Sequence, residues 1–183
     1  MDRIDTSSWP CSIARSVKTF GDHWNLLIVR QALMGARRFN EYRKPMGISR
    51  NMLTLRLRAL VETGILKKVE YQTKPLRHEY LLTQKGLDIV PILITFATWE
   101  NKWNMRSEGP SQRYWHASCG HETHAIVVCD HCAHPISARS LVTEFITPEA
   151  IEFAKVHCAN PIIFGEGISE FLTPEMFFSA RDE

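Results

Sequence analysis

The chain has 183 residues, of which 44% are hydrophobic and 23% charged, and its net charge is +2. This composition predicts an ordinary globular core with a smaller annex. It excludes a membrane span, because no apolar run approaches the roughly 20 residues that a bilayer-crossing helix needs. The first residues show no basic-then-apolar leader pattern, so we expect a cytoplasmic protein without a disulfide framework.

Basic residues are concentrated in one segment of the chain. From Arg30 to Lys68, ten Lys or Arg stand against two acids, Glu41 and Glu62. Such a local excess is typical of a surface that binds a polyanion, although a solvated basic face would give the same count.

Apolar spacing predicts three helices in the first 50 residues, at 11–20, 24–34 and 38–44. The next segment is the most informative. Ser49 is a plausible N-cap and Gly64 the stop of a helix that places Leu53, Leu57 and Leu60 on one face. Polar residues occupy the opposite face, which therefore needs a polar partner.

After Gly64 the period changes to that of strands. Residues 65–71 and 78–82 predict a β-hairpin with Lys74-Pro75 at a basic tip. Thr83 can cap a last helix of the domain, from about 84 to about 104 and interrupted by Pro91. That helix is apolar on most sides, and a partner subunit is its expected cover.

This order of elements is that of the winged helix-turn-helix. In that fold the later helix enters the major groove of DNA, and the hairpin wing contacts the DNA backbone. The sequence also resembles the HxlR-type branch of the MarR-like winged-helix transcription regulators. The resemblance covers roughly the first 100 residues and rests on CS at Cys11, GDHW, RRFNEY, GISRNMLTLRLRAL, ETGILKK and HEYLLTQKG. It implies a homodimeric regulator that binds double-stranded DNA. Two departures, Gly21-Asp22-His23 and Lys74-Pro75, are expected to lie away from the groove-reading surface.

The predicted DNA-binding residues fall into two groups. The first lies on or at the start of the recognition helix and can reach base edges or phosphates: Ser49, Arg50, Asn51, Thr54 and Arg58. The second supplies phosphate contacts, which add affinity without sequence information: Arg37, Arg38, Lys74 and Arg77.

Cys11 allows two interpretations. In the resembling family a cysteine here can sense oxidants or electrophiles, and Cys11 lies near a helix N-terminus with Arg15 one turn later, a setting that favours a reactive thiol. A free cysteine is also among the most commonly buried residues. The sequence leaves both open.

A cluster of metal-ligand residues lies beyond the resemblance. His116-X2-Cys119 and Cys129-X2-Cys132 are separated by nine residues, and the intervening THAIVV favours a strand. This is the layout of a zinc ribbon, and zinc would stabilise a segment too small to fold alone. The three cysteines are the firmer ligands. His116 competes for the fourth place with other nearby histidines: His121, His124, His131 and His134.

Two enzymatic alternatives fit the cluster less well. A zinc deaminase needs H-x-E followed by P-C-x-x-C, and neither occurs here. A thiol-disulfide exchanger needs its C-x-x-C at a helix N-terminus in a βαβ setting. We therefore expect structural zinc and no catalytic residue. An adaptor that keeps the fold without binding DNA is a further alternative.

The predicted fold class is α+β, mainly α. It comprises a winged helix-turn-helix domain at 1–108 and an annex at 109–183, with a zinc-ribbon-like hairpin at 113–138 and two short helices at 145–154 and 171–180. The operator, the choice between repressor and activator, and any small-molecule effector are not determined by the sequence.

Overall fold

The computed structural model describes residues 6–137, 140, 143 and 145–157. Contacts divide the chain into two compact units. The first is Ser16–Ala125, and the second consists of the described residues before 16 and after 125. No helix in the described residues is long and apolar enough to cross a bilayer.

In the described residues, a short 3-10 helix at Thr6–Ser8 and four α-helices precede the wing, and the α-helices lie close to where capping and periodicity predict them. They are α1 (Ser12–Phe20), α2 (His23–Leu33), α3 (Phe39–Met46) and α4 (Arg50–Glu62). Asp22 caps α2 by accepting from Trp24 N, and Ser49 caps α4 by accepting from Met52 N. Gly47 ends α3 with φ of 61°, a left-handed conformation that glycine adopts without steric cost.

The wing is an antiparallel hairpin of β1 (Leu66–Thr73) and β2 (Leu76–Leu82). Both strands extend further towards the tip than predicted, since Thr73 pairs with Leu76 across Lys74-Pro75. Residue Arg38 forms an isolated bridge with Glu79, and Tyr80 N donates to Arg37 O at 2.7 Å. The chain just before α3 is thereby attached to the side of the wing.

The core lies between α2, α3, α4 and the wing. The recognition helix α4 contributes Leu53, Leu57 and Leu60, each at most 1% exposed. Tyr42 of α3 is fully buried, and its hydroxyl donates to Ala36 O at 2.8 Å or Tyr80 O at 3.0 Å. This burial raises the pKa of Tyr42. One phenol thus joins α3 to the turn before it and to the wing.

The predicted helix at 84–104 is divided in two. Thr83 caps the short α5 (Gln84–Leu87), and α6 (Val90–Trp103) begins beside Pro91. Pro91 has no backbone N–H to donate to the carbonyl of residue 87, so it favours the start of a new helix over continuation of α5. A Cβ at Gly86 would collide with the Ile65 carbonyl oxygen, so only glycine permits α5 to sit against the wing.

Beyond α6, the first unit ends with a small antiparallel pair, β3 (Tyr114–His116) and β4 (His121–Thr123). The expected strand over THAIVV is wrong in its extent. Only Thr123 belongs to β4, and Val128 forms an isolated bridge with Pro135. Each Cys/His pair therefore lies in the turn of its own short antiparallel pairing.

The second unit contains α7 (Pro148–His157). Thr147 Oγ1 accepts from Ala150 N at 3.2 Å, as expected of a cap preceding a helix with proline at its first position. The Trp9 ring packs against Phe153 of this helix, with centroids 5.0 Å apart. The helix predicted at 171–180 lies outside the described residues.

Candidate nucleic-acid interface

The outward face of α4 is exposed along its length. Its inward face is the buried row of leucines, so helical periodicity turns the polar residues away from the core. The four predicted groove residues on this face are all exposed: Arg50, Asn51, Thr54 and Arg58. The fold therefore leaves a polar, basic helix face available to a large ligand.

Three side chains on this face have partners within the protein. Thr54 Oγ1 donates to Arg50 O at 2.9 Å, so this hydroxyl can still accept a hydrogen bond. Arg58 Nε donates to Glu62 at 2.7 Å, and this bond raises the pKa of Arg58. The Arg50 guanidinium lies 5.8 Å from the centre of the Phe39 ring. Ser49 uses its hydroxyl as the cap of α4.

Arg38 is held more firmly than the sequence suggests. Its Nε donates to Glu79 Oε1 at 3.1 Å, and its guanidinium lies 4.4 Å from the centre of the Tyr71 ring. The hydrogen bond to Glu79 is the main reason that the pKa of Arg38 is raised. Its side chain is nevertheless 54% exposed. Arg38 is therefore oriented by its contacts with Tyr71 and Glu79, while part of its guanidinium stays accessible to a ligand.

The other predicted phosphate contacts lie on exposed backbone segments. Arg37 precedes α3, while Lys74 and Arg77 lie at and beside the tip of the wing. Glu41 accepts from the backbone N–H groups of Arg38 and Arg37, at 3.0 and 2.8 Å, and these two bonds lower the pKa of Glu41. This carboxylate fixes the turn that carries both arginines.

Sequence reasoning missed the ion pair between Asp22 and Arg56. Arg56 Nη2 lies 2.5 Å from Asp22 Oδ2, and the two side chains are only 19% and 12% exposed. Asp22, one of the departures from the family pattern, thus contacts the recognition helix itself. We had expected this departure to lie away from the groove-reading surface, and the sequence did not indicate the contact with Arg56. The Arg56 side chain is largely covered, whereas Arg50 and Arg58 of the same helix are exposed. In the sequence, only the position of Arg56 next to Leu57 could have indicated that it pairs within the protein.

The first metal-ligand pair lies in the turn between β3 and β4. Cys119 N and Gly120 N both donate to His116 O, at 3.2 and 2.8 Å. His116 Nδ1 lies 3.3 Å from Cys119 Sγ. Gly120, directly after the cysteine, has φ of 69°. The turn therefore brings one imidazole and one thiol side by side on an exposed surface.

The second pair lies in the turn bounded by the bridge between Val128 and Pro135. The backbone N–H groups of Cys132 and His131 donate to the Cys129 thiol and lower the pKa of Cys129. Ala133 N donates to Cys129 O at 2.8 Å, and Ala133 has φ of 58°. As in the first pair, a left-handed residue directly follows the second ligand.

The remaining histidines of the cluster lie in or near these turns. His121 belongs to β4, His124 directly follows it, and His131 and His134 lie within and just after the second turn. Among the described residues, no three or more His, Cys, Asp or Glu side chains are gathered closely enough to hold a metal ion. The four-ligand set of His116, Cys119, Cys129 and Cys132 stays a prediction.

Cys11 directly precedes the first residue of α1 and is half-buried as a free thiol. The guanidinium of Arg15, one turn later, bonds two residues on either side of Cys11 in the sequence. Its Nη1 donates to Trp9 O and its Nη2 to Ser12 Oγ, both at 2.9 Å.

The comparisons with known proteins agree with this geometry. Residues 19–108 match the family described as HxlR-like helix-turn-helix. The uncharacterized HTH-type transcriptional regulator Mb3122 of Mycobacterium bovis is 38% identical over 133 residues, covering 73% of this chain and 84% of the relative. An uncharacterized HTH-type transcriptional regulator of Methanothermobacter thermautotrophicus is 30% identical over 113 residues, covering 61% and 86%.

Two solved structures are similar over most of the chain. PA1607 aligns with a TM-score of 0.67 and 30% identity, covering 75% of this chain and 96% of its own. PA1374 from Pseudomonas aeruginosa aligns with a TM-score of 0.56 and 32% identity, covering 78% and 99%. Both are named as candidate transcription factors. The chain belongs to the HxlR-like helix-turn-helix family, and it is a transcription regulator with a helix-turn-helix DNA-binding domain.

Proposed function

We propose that the chain reads a specific duplex sequence in the cytoplasm through α4, as a regulator without catalytic activity. The observation that carries this proposal is the orientation of α4. Its leucine row is buried, and its four polar groove residues are all exposed. Arginine can bond the O6 and N7 atoms of guanine, and asparagine the N6 and N7 atoms of adenine, from the major groove. Arg50 and Asn51, in the first turn of α4, are the strongest candidates for these contacts.

Phosphate contacts would fix how α4 enters the groove. Arg37 and Arg38 directly precede α3, and Lys74 and Arg77 lie on the wing. The contacts of Arg38 with Tyr71 and Glu79 would favour phosphate binding, because a pre-oriented guanidinium loses less conformational entropy when it binds a phosphate.

The binding test begins with selection of a consensus from random duplexes by the full-length protein. Asn51→Ala should then weaken binding to the consensus by about 1 to 3 kcal/mol and relax the preference at one base position. Lys74→Ala should weaken consensus and scrambled duplexes alike and reduce the slope of log K against log salt by about 1. Lys155→Ala, which removes an exposed cation of α7, is the control and should change neither. Selection that yields no consensus would refute sequence-specific reading.

The second part of the proposal is a homodimer formed through α6. Ile92, Phe96, Trp99 and Trp103 recur at helical spacing, and each is 49% to 65% exposed. Such a stripe is costly to leave in water, and a second copy of the chain is the occupant that the family resemblance implies. Two copies related by a two-fold axis would read half-sites about 10 base pairs apart.

The stripe can be tested by sedimentation equilibrium. Trp99→Glu should dissociate the dimer, because a charge would be buried in the apolar interface. Leu55→Glu, in α4, is the matched control, since Leu55 and Trp99 are 56% and 57% exposed. The α6 interface is wrong if the wild-type chain is a monomer or if both variants remain dimeric.

The third part of the proposal is structural zinc held by Cys119, Cys129, Cys132 and His116. Three thiolates and one imidazole are a donor set that zinc prefers. Each pair also lies in a tight turn followed by a left-handed residue, and Cys129 Sγ accepts two backbone N–H bonds. Zinc would supply folding free energy to this segment, and with four protein ligands it would have no open position for a substrate.

Metal content tests this set directly. The purified chain should contain one zinc per chain, Cys129→Ser should lose it, and Cys11→Ser should retain it. X-ray absorption should give one nitrogen and three sulfur ligands. A bound water in place of a protein ligand would favour the hydrolytic alternative, and replacement of each nearby histidine would identify the fourth ligand.

The proposed regulatory action is repression, relieved by a small molecule or by oxidation. Support comes from Cys11, a half-buried free thiol at the start of α1. Treatment with a thiol oxidant should release the wild-type protein from its consensus duplex and leave Cys11→Ser bound. Equal release of both proteins would remove Cys11 from this role.

A further inference from the structure

Asp22 performs two tasks at the start of α2. Its Oδ1 accepts from Trp24 N at 3.0 Å, which caps the helix. Its Oδ2 lies 2.5 Å from Arg56 Nη2 in the middle of α4. One carboxylate thus connects α2 to the recognition helix α4, between residues that are 34 positions apart in the sequence.

Arg56 lies at the border between the inner and outer sides of α4. It is adjacent in sequence to Leu57, which is 1% exposed, and two residues from Thr54, which is exposed. Its side chain is largely covered, and its Nε is buried without a hydrogen-bond partner in the described part of the chain. Within the part of the chain that the structure describes, Asp22 is the ion-pair partner of this covered cation.

The two kinds of contact on α4 constrain it differently. Burial of the leucine row determines which side of α4 faces the core, but apolar contacts have no preferred bond direction. An ion pair between a carboxylate and a guanidinium is directional and, when largely buried, leaves an uncompensated charge if it breaks. The Asp22–Arg56 pair is therefore suited to fix the rotation of α4.

We propose that Asp22 and Arg56 are positioning residues that set the rotation of the recognition helix and so determine sequence discrimination. The inference rests on the DNA-binding function proposed above. A small rotation of α4 would displace Asn51 and Arg50 from the base edges while leaving phosphate contacts largely intact. The pair should thus affect the preference for one sequence more than general affinity for DNA.

The test compares binding to the selected consensus duplex with binding to a scrambled duplex of equal length. Asp22→Asn keeps a residue suited to cap α2 and removes the charge. Arg56→Met keeps the apolar stem and removes the guanidinium. Each should lower the consensus-to-scrambled ratio by about tenfold, the size expected for loss of one base contact. Binding to the scrambled duplex should change by less than about threefold.

Three further variants separate positioning from stability. The double variant Asp22→Asn/Arg56→Met contains no uncompensated charge, so its melting temperature should recover while its ratio stays low. Arg56→Lys, which keeps the charge and should fold, should give an intermediate ratio. Glu152→Gln, which removes the exposed ion pair with Lys155 in α7 and touches no predicted DNA contact, should leave the ratio unchanged.

The outcomes distinguish this inference from the function on which it rests. If the wild-type protein prefers no duplex sequence, the proposed DNA reading is wrong. If the wild type prefers its consensus and the Asp22→Asn and Arg56→Lys variants keep the full ratio, the positioning role is wrong. Recovery of the ratio together with stability in the double variant would also overturn it.

Discussion

Replacement of Leu57 by alanine tests whether the inner side of α4 is core. Leu57 is 1% exposed, whereas Leu55, two residues earlier in the same helix, is 56% exposed. Truncation to alanine removes three carbon groups, and at about 0.8 kcal/mol each their transfer is worth about 2.4 kcal/mol when the site is buried. The cavity left behind raises the cost of Leu57→Ala to about 3 to 4 kcal/mol.

The matched replacement at Leu55 should cost far less. More than half of that side chain already contacts water, so Leu55→Ala loses about 1 kcal/mol of transfer free energy. The higher helix propensity of alanine returns only a few tenths of this. We expect a difference of about 2 kcal/mol or more between the two variants.

Urea unfolding followed by far-UV circular dichroism measures this difference. With a slope of about 1 to 3 kcal/mol per molar urea, Leu57→Ala should lower the midpoint by about 1 to 4 M. The midpoint shift of Leu55→Ala should not exceed about a third of that value. All proteins must be compared at one concentration, because association changes apparent stability. Equal midpoint shifts for the two variants would refute the assignment of the inner and outer sides of α4.

Three further predictions concern single side chains. Tyr42→Phe should cost about 1 to 2 kcal/mol in urea unfolding, because two backbone carbonyls lose their shared donor, and Tyr71→Phe should cost less than about 0.5. Because the pKa of Glu41 is lowered in the fold, its stabilisation is complete above its ordinary pKa of 4.5 and is lost as pH falls through the lowered value; wild type should lose more stability than Glu41→Gln on acidification below that pH. Ser49→Ala should cost about 1 kcal/mol and Ser49→Asp little, since aspartate also caps helices.

The start of α4 and the identity of its two sides follow from the sequence. Ser49 is the cap, and the leucines recur at helical spacing. Caps and periodicity depend on residues within a few positions of each other, so they can be recognised without knowledge of the fold. The same reasoning placed α2 and the wing within a few residues of their observed bounds.

Local signals were less reliable for the Cys/His segment. THAIVV has the composition of a strand, but strand formation depends on a partner at the right register. The segment between Thr123 and Val128 has no ladder, and the two pairs occupy separate turns. Pro91 was visible as an interruption, whereas the close approach of Gly86 to the Ile65 carbonyl oxygen became visible only in the fold.

Only the tertiary structure decided how the basic residues are used. In sequence, Arg38 and Arg56 are two cations of one basic segment. In the fold, Arg38 pairs with Glu79, 41 residues away, and Arg56 pairs with Asp22. The sequence by itself determined that a basic helix face exists, because this depends on local periodicity. Which cations support that face and which remain available to DNA depended on distant segments meeting, because the partner of a charge is set by packing.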